Sequence, residues 1–258
     1  MALARTGDRS SSPRRGDRRE EPGPHSGSVA RLPAGAEKRA AVRSMFDRIA
    51  PRYDLMNRLL SAGLDQRWRR AALDAARVSA TDRVIDLACG TGDLAELAAA
   101  RGARVIALDF SALMLRGARR RGVAARLVQA DGVDLPLPDA CASVLCSGFA
   151  LRNFVSLPEI FRETARVLEP GGRIALLEVD RPRFRLVKSV HSLYFDRVVP
   201  WVGGLLSDRD AYRYLPQSTA YLPSQPELRA LLEHAGFRQV ERRPLLLGTA
   251  QILTGVRG

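Results

Sequence analysis

The middle of the chain alternates short strand-like runs with longer helical stretches, and this alternation constrains the fold more than any other feature. Runs rich in β-branched and apolar residues occur at 83–88, 104–109, 126–130, 143–147 and 173–179. Stretches with helical periodicity separate them at 93–100, 112–121 and 157–168. This pattern is typical of βαβ units, in which crossover helices cover both faces of a parallel sheet.

The C-terminal part of the chain extends the same pattern. A helical stretch at 225–235 stops at Gly236, and two more strand-like runs follow at 239–243 and 251–256. The two runs predict a hairpin-like pair that closes one sheet edge. The sequence therefore predicts an α/β fold with a doubly wound, mostly parallel sheet of seven strands and helices on both faces.

Three segments outside this alternation differ in composition. Residues 1–36 are rich in Arg, Ser, Pro and Gly and nearly lack large apolar side chains, which predicts a disordered tail. Residues 37–78 show helical periodicity and open the predicted domain, 37–258. Residues 182–222 predict a helical insertion over the substrate side. Its many apolar side chains leave four roles open: the roof of an apolar pocket, a contact with the membrane surface, a helix pair packed on the domain, or a homodimer interface.

Composition excludes several classes of protein. The net charge of +13 suggests an anionic partner, but no basic run is interleaved with aromatic residues, so we predict no nucleic-acid partner. The three cysteines form no Cys-x-x-Cys pair and only three histidines are present, so no metal site is expected. No apolar run is long enough to span a bilayer. These features predict a cytoplasmic protein, with peripheral contact at the inner face of the membrane left open.

A glycine-bearing turn follows the first predicted strand. The strand passes Asp86 and runs into Gly90, Thr91 and Gly92 before the next helix begins at Asp93. Glycines let the backbone adopt positive φ and approach a bound molecule closely. The turn lacks the third glycine of a dinucleotide fingerprint and the Gly-Lys-Ser/Thr of a phosphate loop. Taken alone, it is weak evidence for a ligand.

Residues at the ends of the next three strands indicate which ligand binds at this turn. Asp109 ends the second strand, where a carboxylate can accept hydrogen bonds from both ribose hydroxyls. Asp131 and Gly132 follow the third strand beside the expected adenine edge, and the fourth strand ends with the small residues Ser147 and Gly148. Together they predict an adenosine without a pyrophosphate, and hence S-adenosyl-L-methionine as the cofactor.

Structural explanations for the same carboxylates stay open. Asp109 can instead cap the helix that starts at residue 112, in competition with Ser111. Asp131 can simply open a turn. The acidic residues Asp86 and Asp93 flank the glycines, which suits the positive sulfonium and amino groups of the predicted cofactor.

Several segments identify a family by resemblance. The glycine turn resembles the first motif of class I, Rossmann-like S-adenosylmethionine-dependent methyltransferases. Further segments are similar to blocks of the UbiE-type ubiquinone/menaquinone biosynthesis C-methyltransferases: Met45-Phe-Asp-Arg-Ile-Ala-Pro-Arg-Tyr-Asp-Leu-Met-Asn57, Gly148-Phe-Ala-Leu-Arg-Asn153, Arg166-Val-Leu-Glu-Pro-Gly-Gly-Arg173 and Ala211-Tyr-Arg-Tyr-Leu-Pro-Gln-Ser218. The resemblance covers about residues 40–258. It implies carbon methylation of a prenylated hydroquinone ring, as in the conversion of demethylmenaquinol to menaquinol.

The resemblance also implies roles for single residues. Thr91, Asp109 and the pair Asp131–Gly132 would contact the cofactor, whereas Tyr53, Arg152 and Asn153 would face the quinol. Three positions depart from the family's usual residues: Gly148 replaces a serine, Ser143 replaces an aspartate and Thr254 replaces a histidine. The departures leave the acceptor open between a quinol and a soluble aromatic or polyketide.

The chemistry of methyl transfer suggests a task for each acceptor residue. Transfer of a methyl group to carbon needs aligned reactants and stabilisation of the phenolate that forms. The Arg152 guanidinium suits the phenolate, Asn153 can orient a hydroxyl, and Asp54 or His191 is the candidate base. A cofactor-binding regulator without activity would not need the Arg152–Asn153 pair. A methyltransferase acting on RNA would need an Asn/Asp-Pro-Pro-aromatic motif, which the sequence lacks.

Overall fold

The computed structural model describes residues 35–61, 63–180 and 218–258. Seven strands form one sheet: β1 (Arg83–Leu87), β2 (Arg104–Asp109), β3 (Arg126–Gln129), β4 (Ala142–Gly148), β5 (Leu168–Val179), β6 (Phe237–Leu245) and β7 (Ala250–Arg257). Their order across the sheet is β3-β2-β1-β4-β5-β7-β6. The first five strands are parallel, and β7 is antiparallel to both β5 and β6. The predicted fold class, including the C-terminal pair of strands at one edge, is confirmed.

The described helices are α1 (Gly35–Ile49), α2 (Tyr53–Ser61), α3 (Leu64–Ala75), α4 (Asp93–Ala99), α5 (Ala112–Arg120), α6 (Leu157–Val167) and α7 (Gln225–His234). Short 3-10 segments occupy Ala50–Arg52, Leu151–Asn153, Thr219–Tyr221 and Leu246–Gly248. Local chemistry sets several helix starts. Ser111 and Ser156 cap α5 and α6 by accepting a backbone hydrogen bond, and Ser224 forms a capping box with Glu227 at α7.

Two hydrophobic layers enclose the sheet. On one face, α6 and α7 pack over a cluster that includes Leu145, Phe161 and Phe237. On the other face, α3 and α4 pack over a cluster that includes Leu73 and Ala107. The inner strands are therefore buried on both faces, and in β1 every residue after Arg83 is buried.

The sheet order places a crevice between two strands. β1 lies between β2 and β4, so the chain runs outward on one side of β1 and then crosses to the other side. In open α/β sheets, ligands bind outside the carboxyl ends of the strands at such a switch point. The loops that follow β1 and β4 meet there.

Most helix and strand boundaries agree closely with the sequence-based expectations, and one strand start differs more. β5 begins at Leu168, earlier than the predicted 173, because Leu168 pairs with Ala142 across a register shift. A pairing with a distant strand cannot be seen in local periodicity. α1 begins at Gly35, near the predicted domain start at 37, so Gly35 and Ala36 are helical although the predicted tail includes them. Residues 1–34 of the predicted tail and most of the predicted insertion 182–222 lie outside the described residues. Within the described ranges, no helix is both long and apolar enough to cross a bilayer.

Candidate active site

An open cleft lies at the carboxyl ends of the strands. The loops after β1, β2, β3 and β4 form its floor, and α1 and α2 form one wall. Its walls contain seven of the residues predicted from the sequence, namely Tyr53, Gly90, Asp109, Asp131, Gly132, Gly148 and Asn153. The structure thus brings together one predicted residue or more from each of these loops and from α2.

The glycine turn is held by Asp109. The carboxylate accepts hydrogen bonds from the backbone N–H of Gly90 at 2.8 Å and of Ser111 at 2.9 Å. Ser111, rather than Asp109, caps α5 by accepting a bond from Met114. Burial raises the pKa of Asp109 to about 6, although the two backbone donors oppose the shift. Asp109 therefore orders the turn and also presents a carboxylate to the cleft.

Asp86 lies beneath the turn. It is buried, and one carboxylate oxygen accepts a hydrogen bond of 2.9 Å from the Ala95 N–H. The other oxygen, Oδ1, is buried without a hydrogen-bond partner. Burial raises the pKa of Asp86 to about 7, although the positive charge of Arg69 opposes the shift. Asp86 is not among the described residues that line the cleft.

Thr91 faces α2 and α5. Its hydroxyl donates a hydrogen bond to Asp54, and Arg121 bridges Asp54 at 3.2 Å and Asp93 at 2.8 Å. Neither Thr91 nor Gly92 belongs to the described lining of the cleft. Gly92 instead packs tightly, because a Cβ there would lie 2.9 Å from the Val123 side chain, and its φ is 90°.

The loop after β3 supplies Asp131 and Gly132. Asp131 forms an exposed ion pair of 3.4 Å with Arg39 on α1 and accepts a bond from the Val133 N–H. The predicted turn and the predicted cleft position are thus both present. A Cβ at Gly132 would lie 2.8 Å from the end of the Ile160 side chain, so any residue other than glycine would require that side chain to shift.

The loop after β4 contains a positive φ angle that could not be predicted from the sequence. Phe149 has a φ of 61°, a region that bulky residues seldom adopt. Gly148, Phe149 and Asn153 all line the cleft. Ser147 does not: it is buried, and its hydroxyl donates to the Leu87 carbonyl at 2.7 Å. Its role is to join β4 to β1.

Arg152 is buried in the segment that follows β4. Its guanidinium forms an ion pair with Glu178 on β5. The guanidinium also donates to the Ser218 hydroxyl at 3.1 Å and to the Phe149 carbonyl at 2.9 Å. Arg152 is absent from the described residues that line the cleft, although its charge opposes the effect of burial, which raises the pKa of Tyr53, a residue that does line the cleft. The predicted task of Arg152 at the acceptor therefore stays a prediction.

Tyr53 begins α2 and lies against the turn. A Cβ at Gly90 would be 3.6 Å from the Tyr53 ring, and no other atom would lie within 4 Å, so a side chain at Gly90 would occupy the cleft. Burial raises the pKa of Tyr53, although Arg69 and a hydrogen bond with Asn57 oppose the shift. Tyr53 is therefore protonated at neutral pH and can donate a hydrogen bond.

These observations fit S-adenosylmethionine. The empty space over Gly90 and the unpartnered buried Oδ1 of Asp86 lie on the two sides of the turn. Asp109 and Asp131 stand at successive strand ends where a nucleoside would lie. The described residues contain no cluster of His, Cys, Asp or Glu side chains that could hold a metal ion.

Sequence reasoning missed several contributors to this site. α1 supplies Val42 and Phe46 to the cleft wall, and Arg121 holds the turn from outside through Asp54, which the sequence offered as a candidate base. Val42 and Phe46 recur at helical spacing, which signals a buried face but not which ligand it covers. Asp54 and Arg121 meet only through tertiary contact, so no local signal predicts the pair.

Comparison with known proteins supports the same interpretation. The family model described as "ubiE/COQ5 methyltransferase family" matches residues 34–257. The chain is 45% identical over 220 residues to a demethylmenaquinone methyltransferase of Thermus thermophilus, a match that covers 83% of this chain and 100% of the relative. It is 43% identical over 232 residues to the ubiquinone/menaquinone biosynthesis C-methyltransferase UbiE of Geobacter sulfurreducens, covering 86% of this chain and 90% of the relative.

Solved structures share the fold at low identity. An S-adenosylmethionine-dependent methyltransferase from Aquifex aeolicus superposes with a TM-score of 0.55 and 15% identity, covering 74% of this chain and 89% of that one. The [4+2]-cyclase SpnF superposes with a TM-score of 0.61 and 16% identity, covering 84% and 94%. Because the second neighbour is named as a cyclase, the fold alone does not specify the reaction.

Proposed function

The chain belongs to the ubiE/COQ5 methyltransferase family, and from that premise we propose that it methylates a ring carbon of a prenylated hydroquinone, converting demethylmenaquinol to menaquinol. It is an S-adenosylmethionine-dependent methyltransferase. The observation that carries the proposal is the composition of the cleft. The cleft brings the glycine turn and Asp109 together with aromatic side chains, Tyr53 and Asn153.

Much of the cleft wall is apolar. Aromatic and aliphatic side chains line it, including Val42, Phe46, Phe149, Phe154 and Val155. Burial of apolar surface favours a ring that carries a prenyl chain over a charged or heavily hydroxylated acceptor. A few polar side chains also line the cleft, and they fix the orientation of the ring through hydrogen bonds.

When bound, S-adenosylmethionine supplies an electrophilic methyl group that replaces a hydrogen on the ring carbon, leaving S-adenosylhomocysteine and a proton. The protein orients the ring and stabilises the oxyanion that develops on it. Protonated Tyr53 donates a hydrogen bond to that oxygen, and Asn153 orients the second hydroxyl. Arg152 holds the loop that carries Asn153, through its bonds to Glu178 and the Phe149 carbonyl.

A prenylated acceptor resides in a lipid bilayer, so we propose peripheral contact of the protein with the membrane surface. The segment predicted for that contact, 182–222, lies mostly outside the described residues. Membrane contact and a homodimer therefore stay predictions from the sequence.

The proposal is tested by turnover of purified protein with a demethylquinol and S-adenosylmethionine labelled in the methyl group. We expect label on a ring carbon, identified by mass spectrometry of the product. Tyr53→Phe should lower kcat by about 10²-fold, the scale of losing one oxyanion donor, with cofactor affinity nearly unchanged. The matched control is Tyr221→Phe, which removes a hydroxyl outside the described lining of the cleft.

Two results would contradict the proposal. Label on a phenolic oxygen would show an O-methyltransferase. Transfer confined to soluble phenols would support the alternative, a methyltransferase for soluble aromatic or polyketide acceptors. In cells that lack the protein, accumulation of a demethylated quinone is the corresponding expectation.

A further inference from the structure

We propose that Lys38 on α1 is a positioning residue for the acceptor, because it fastens the α1 wall of the cleft to the loop that carries Asn153. The inference rests on the proposed function, and it gives a role to a residue outside the described lining of the cleft. Lys38 is only 5% exposed, although lysine side chains are seldom buried. Its ammonium group is therefore directed at the protein and not at solvent.

The ammonium group contacts two other parts of the chain. Nζ donates a hydrogen bond of 2.6 Å to the backbone carbonyl of Phe154. It also lies over the Tyr221 ring, 3.8 Å from the ring centre, which is the geometry of a cation–π contact. One side chain thus joins α1 to the loop after β4 and to the 3-10 segment Thr219–Tyr221.

The hydrogen bond from Lys38 connects two parts of the cleft wall. Val42 lies about one helical turn after Lys38 and lines the cleft, as does Phe46 one turn later. On the other side of the bond, Phe154 lines the cleft and directly follows Asn153. Lys38 therefore fixes the distance between the apolar wall of α1 and the residue proposed to orient the acceptor hydroxyl.

A second contact between α1 and the cleft loops is weaker. Arg39, the next residue of α1, pairs with Asp131 at 3.4 Å, but half of the Arg39 side chain is exposed. Exposed ion pairs contribute little to stability. Among the described residues, Lys38 is thus the principal polar contact between the first turns of α1 and these loops.

The stability of the fold does not explain a lysine at this position. Burial lowers the pKa of Lys38 from 10.5 to about 8, so the charged form is less stable in the folded chain than in water. At neutral pH this charge therefore opposes folding. A methionine of similar length would fill the space without a charge. The contacts with the Phe154 carbonyl and the Tyr221 ring give the lysine its role.

The test separates positioning from folding. Full-length Lys38→Met is compared with the wild type in turnover of a demethylquinol, in calorimetric titration with S-adenosylmethionine and in thermal unfolding. We expect kcat/KM for the acceptor to fall by about 10- to 100-fold, the scale of a misplaced reactant. Cofactor affinity should change little, and the midpoint of unfolding should equal or exceed that of the wild type, because a buried charge is removed.

Further variants test the chemistry of the contact. Lys38→Arg keeps a positive charge and N–H donors, so it should regain part of the lost kcat/KM. Tyr221→Leu removes the ring and should cause a smaller loss than Lys38→Met, whereas Tyr221→Phe keeps the ring. Arg43→Met, which removes an exposed cation from the same helix, should behave like the wild type.

Three results would overturn the inference. They are an unchanged kcat/KM in Lys38→Met, a loss that comes with a lower unfolding midpoint and equally weaker cofactor binding, and no recovery in Lys38→Arg.

Hydrogen exchange distinguishes a failure of this inference from a failure of the proposed function. If the wild type does not methylate the demethylquinol, the proposed function is wrong, and the exchange of α1 amides still tests the Lys38 contact without an acceptor. These amides should exchange several-fold faster in Lys38→Met than in the wild type, whereas those of α4 should not change. Equal exchange in α1 would overturn the inference.

Discussion

The Thr91 hydroxyl donates a hydrogen bond to the Asp54 carboxylate, so the glycine turn after β1 is joined directly to α2. The residue before Asp54 is Tyr53, which lines the cleft. Arg121 reinforces this contact between the turn and α2, because it donates hydrogen bonds to Asp54 at 3.2 Å and to Glu96 at 2.5 Å. The cofactor turn and the proposed acceptor wall are therefore parts of one polar network.

Removal of Asp54 tests this connection. Asp54→Ala leaves Thr91 and Arg121 without their shared acceptor, so we expect a loss of about 1–3 kcal/mol in the free energy of unfolding. Chemical denaturation measures that loss, and the acceptor KM should rise in the same variant. The control is Asp74→Ala, which breaks the Asp74–Arg101 surface pair of 2.7 Å. That change should cost under about 1 kcal/mol.

Asp109 should contribute strongly to cofactor affinity. In Asp109→Asn, the amide NH₂ replaces one carboxylate oxygen and meets the N–H of Gly90 or Ser111, both of which are donors. We expect affinity for S-adenosylmethionine to fall by about 10- to 100-fold in calorimetric titration. Asp134→Asn, in the turn after β3, is the control. Unchanged affinity in Asp109→Asn would remove this carboxylate from the cofactor site.

Cofactor binding should depend on pH. The pKa values of Asp109 and Asp86 are raised to about 6 and about 7 from an ordinary value of 3.8. A raised pKa means that the folded chain binds these protons more tightly, so their contribution to stability is full below about pH 4 and is lost as pH rises through 6 and 7. Ionised carboxylates bind the cofactor better, so its affinity should rise over the same window.

The measurement is calorimetric titration at several values between about pH 5 and 8. Asp86→Asn should flatten the upper part of the profile, because the amide does not titrate. Without ligand, the same variant should lose less stability than the wild type as pH rises through 7. An unchanged profile in Asp86→Asn would assign the pH dependence to other groups.

Local periodicity predicted most of the fold, because each inner strand is a short apolar run between helices. β2 agrees with its predicted bounds. The start of β5 was wrong because the Leu168–Ala142 pairing depends on a strand distant in sequence. The order of strands that places the cleft between β1 and β4 follows from general rules of βαβ connection rather than from any single residue.

The site was harder to predict, because charge alone does not reveal burial. Arg69 sits in a basic run that the sequence presents as surface, yet Asp65, Arg69 and Leu73 recur four residues apart and are all buried. That helical spacing was the available signal. The buried position of Arg152 could not be predicted from the sequence, because Glu178 becomes its partner only when β5 packs beside β4.

Gly132 should not tolerate a side chain. A Cβ there would lie 2.8 Å from Ile160 and 3.4 Å from Phe154. Gly132→Ala should therefore cost about 1–3 kcal/mol of stability through overpacking and should distort the loop that carries Asp131. Thermal unfolding with and without cofactor measures both effects. Gly255→Ala, where the nearest atom would be 3.4 Å away, is the control and should change the midpoint little.

The Arg152–Glu178 pair gives a prediction that separates a structural role from a catalytic one. The Glu178 side chain is 0% exposed and that of Arg152 is 8% exposed. Removal of one partner leaves the other charge buried, so Glu178→Met should cost about 3–5 kcal/mol in the free energy of unfolding. The double variant Arg152→Met/Glu178→Met removes both charges, so it should recover much of that stability.

Turnover then distinguishes the two roles. If Arg152 positions the loop that carries Asn153, kcat and stability should fall together in Arg152→Met, and both should partly return in the double variant. If Arg152 instead acts directly on the developing phenolate, the double variant should regain stability but not turnover. The second result would restore the role suggested by the sequence and would require the guanidinium to leave Glu178 when the acceptor binds. The buried position of the pair favours the first result, because separating these charges within the protein costs more than moving a surface arginine.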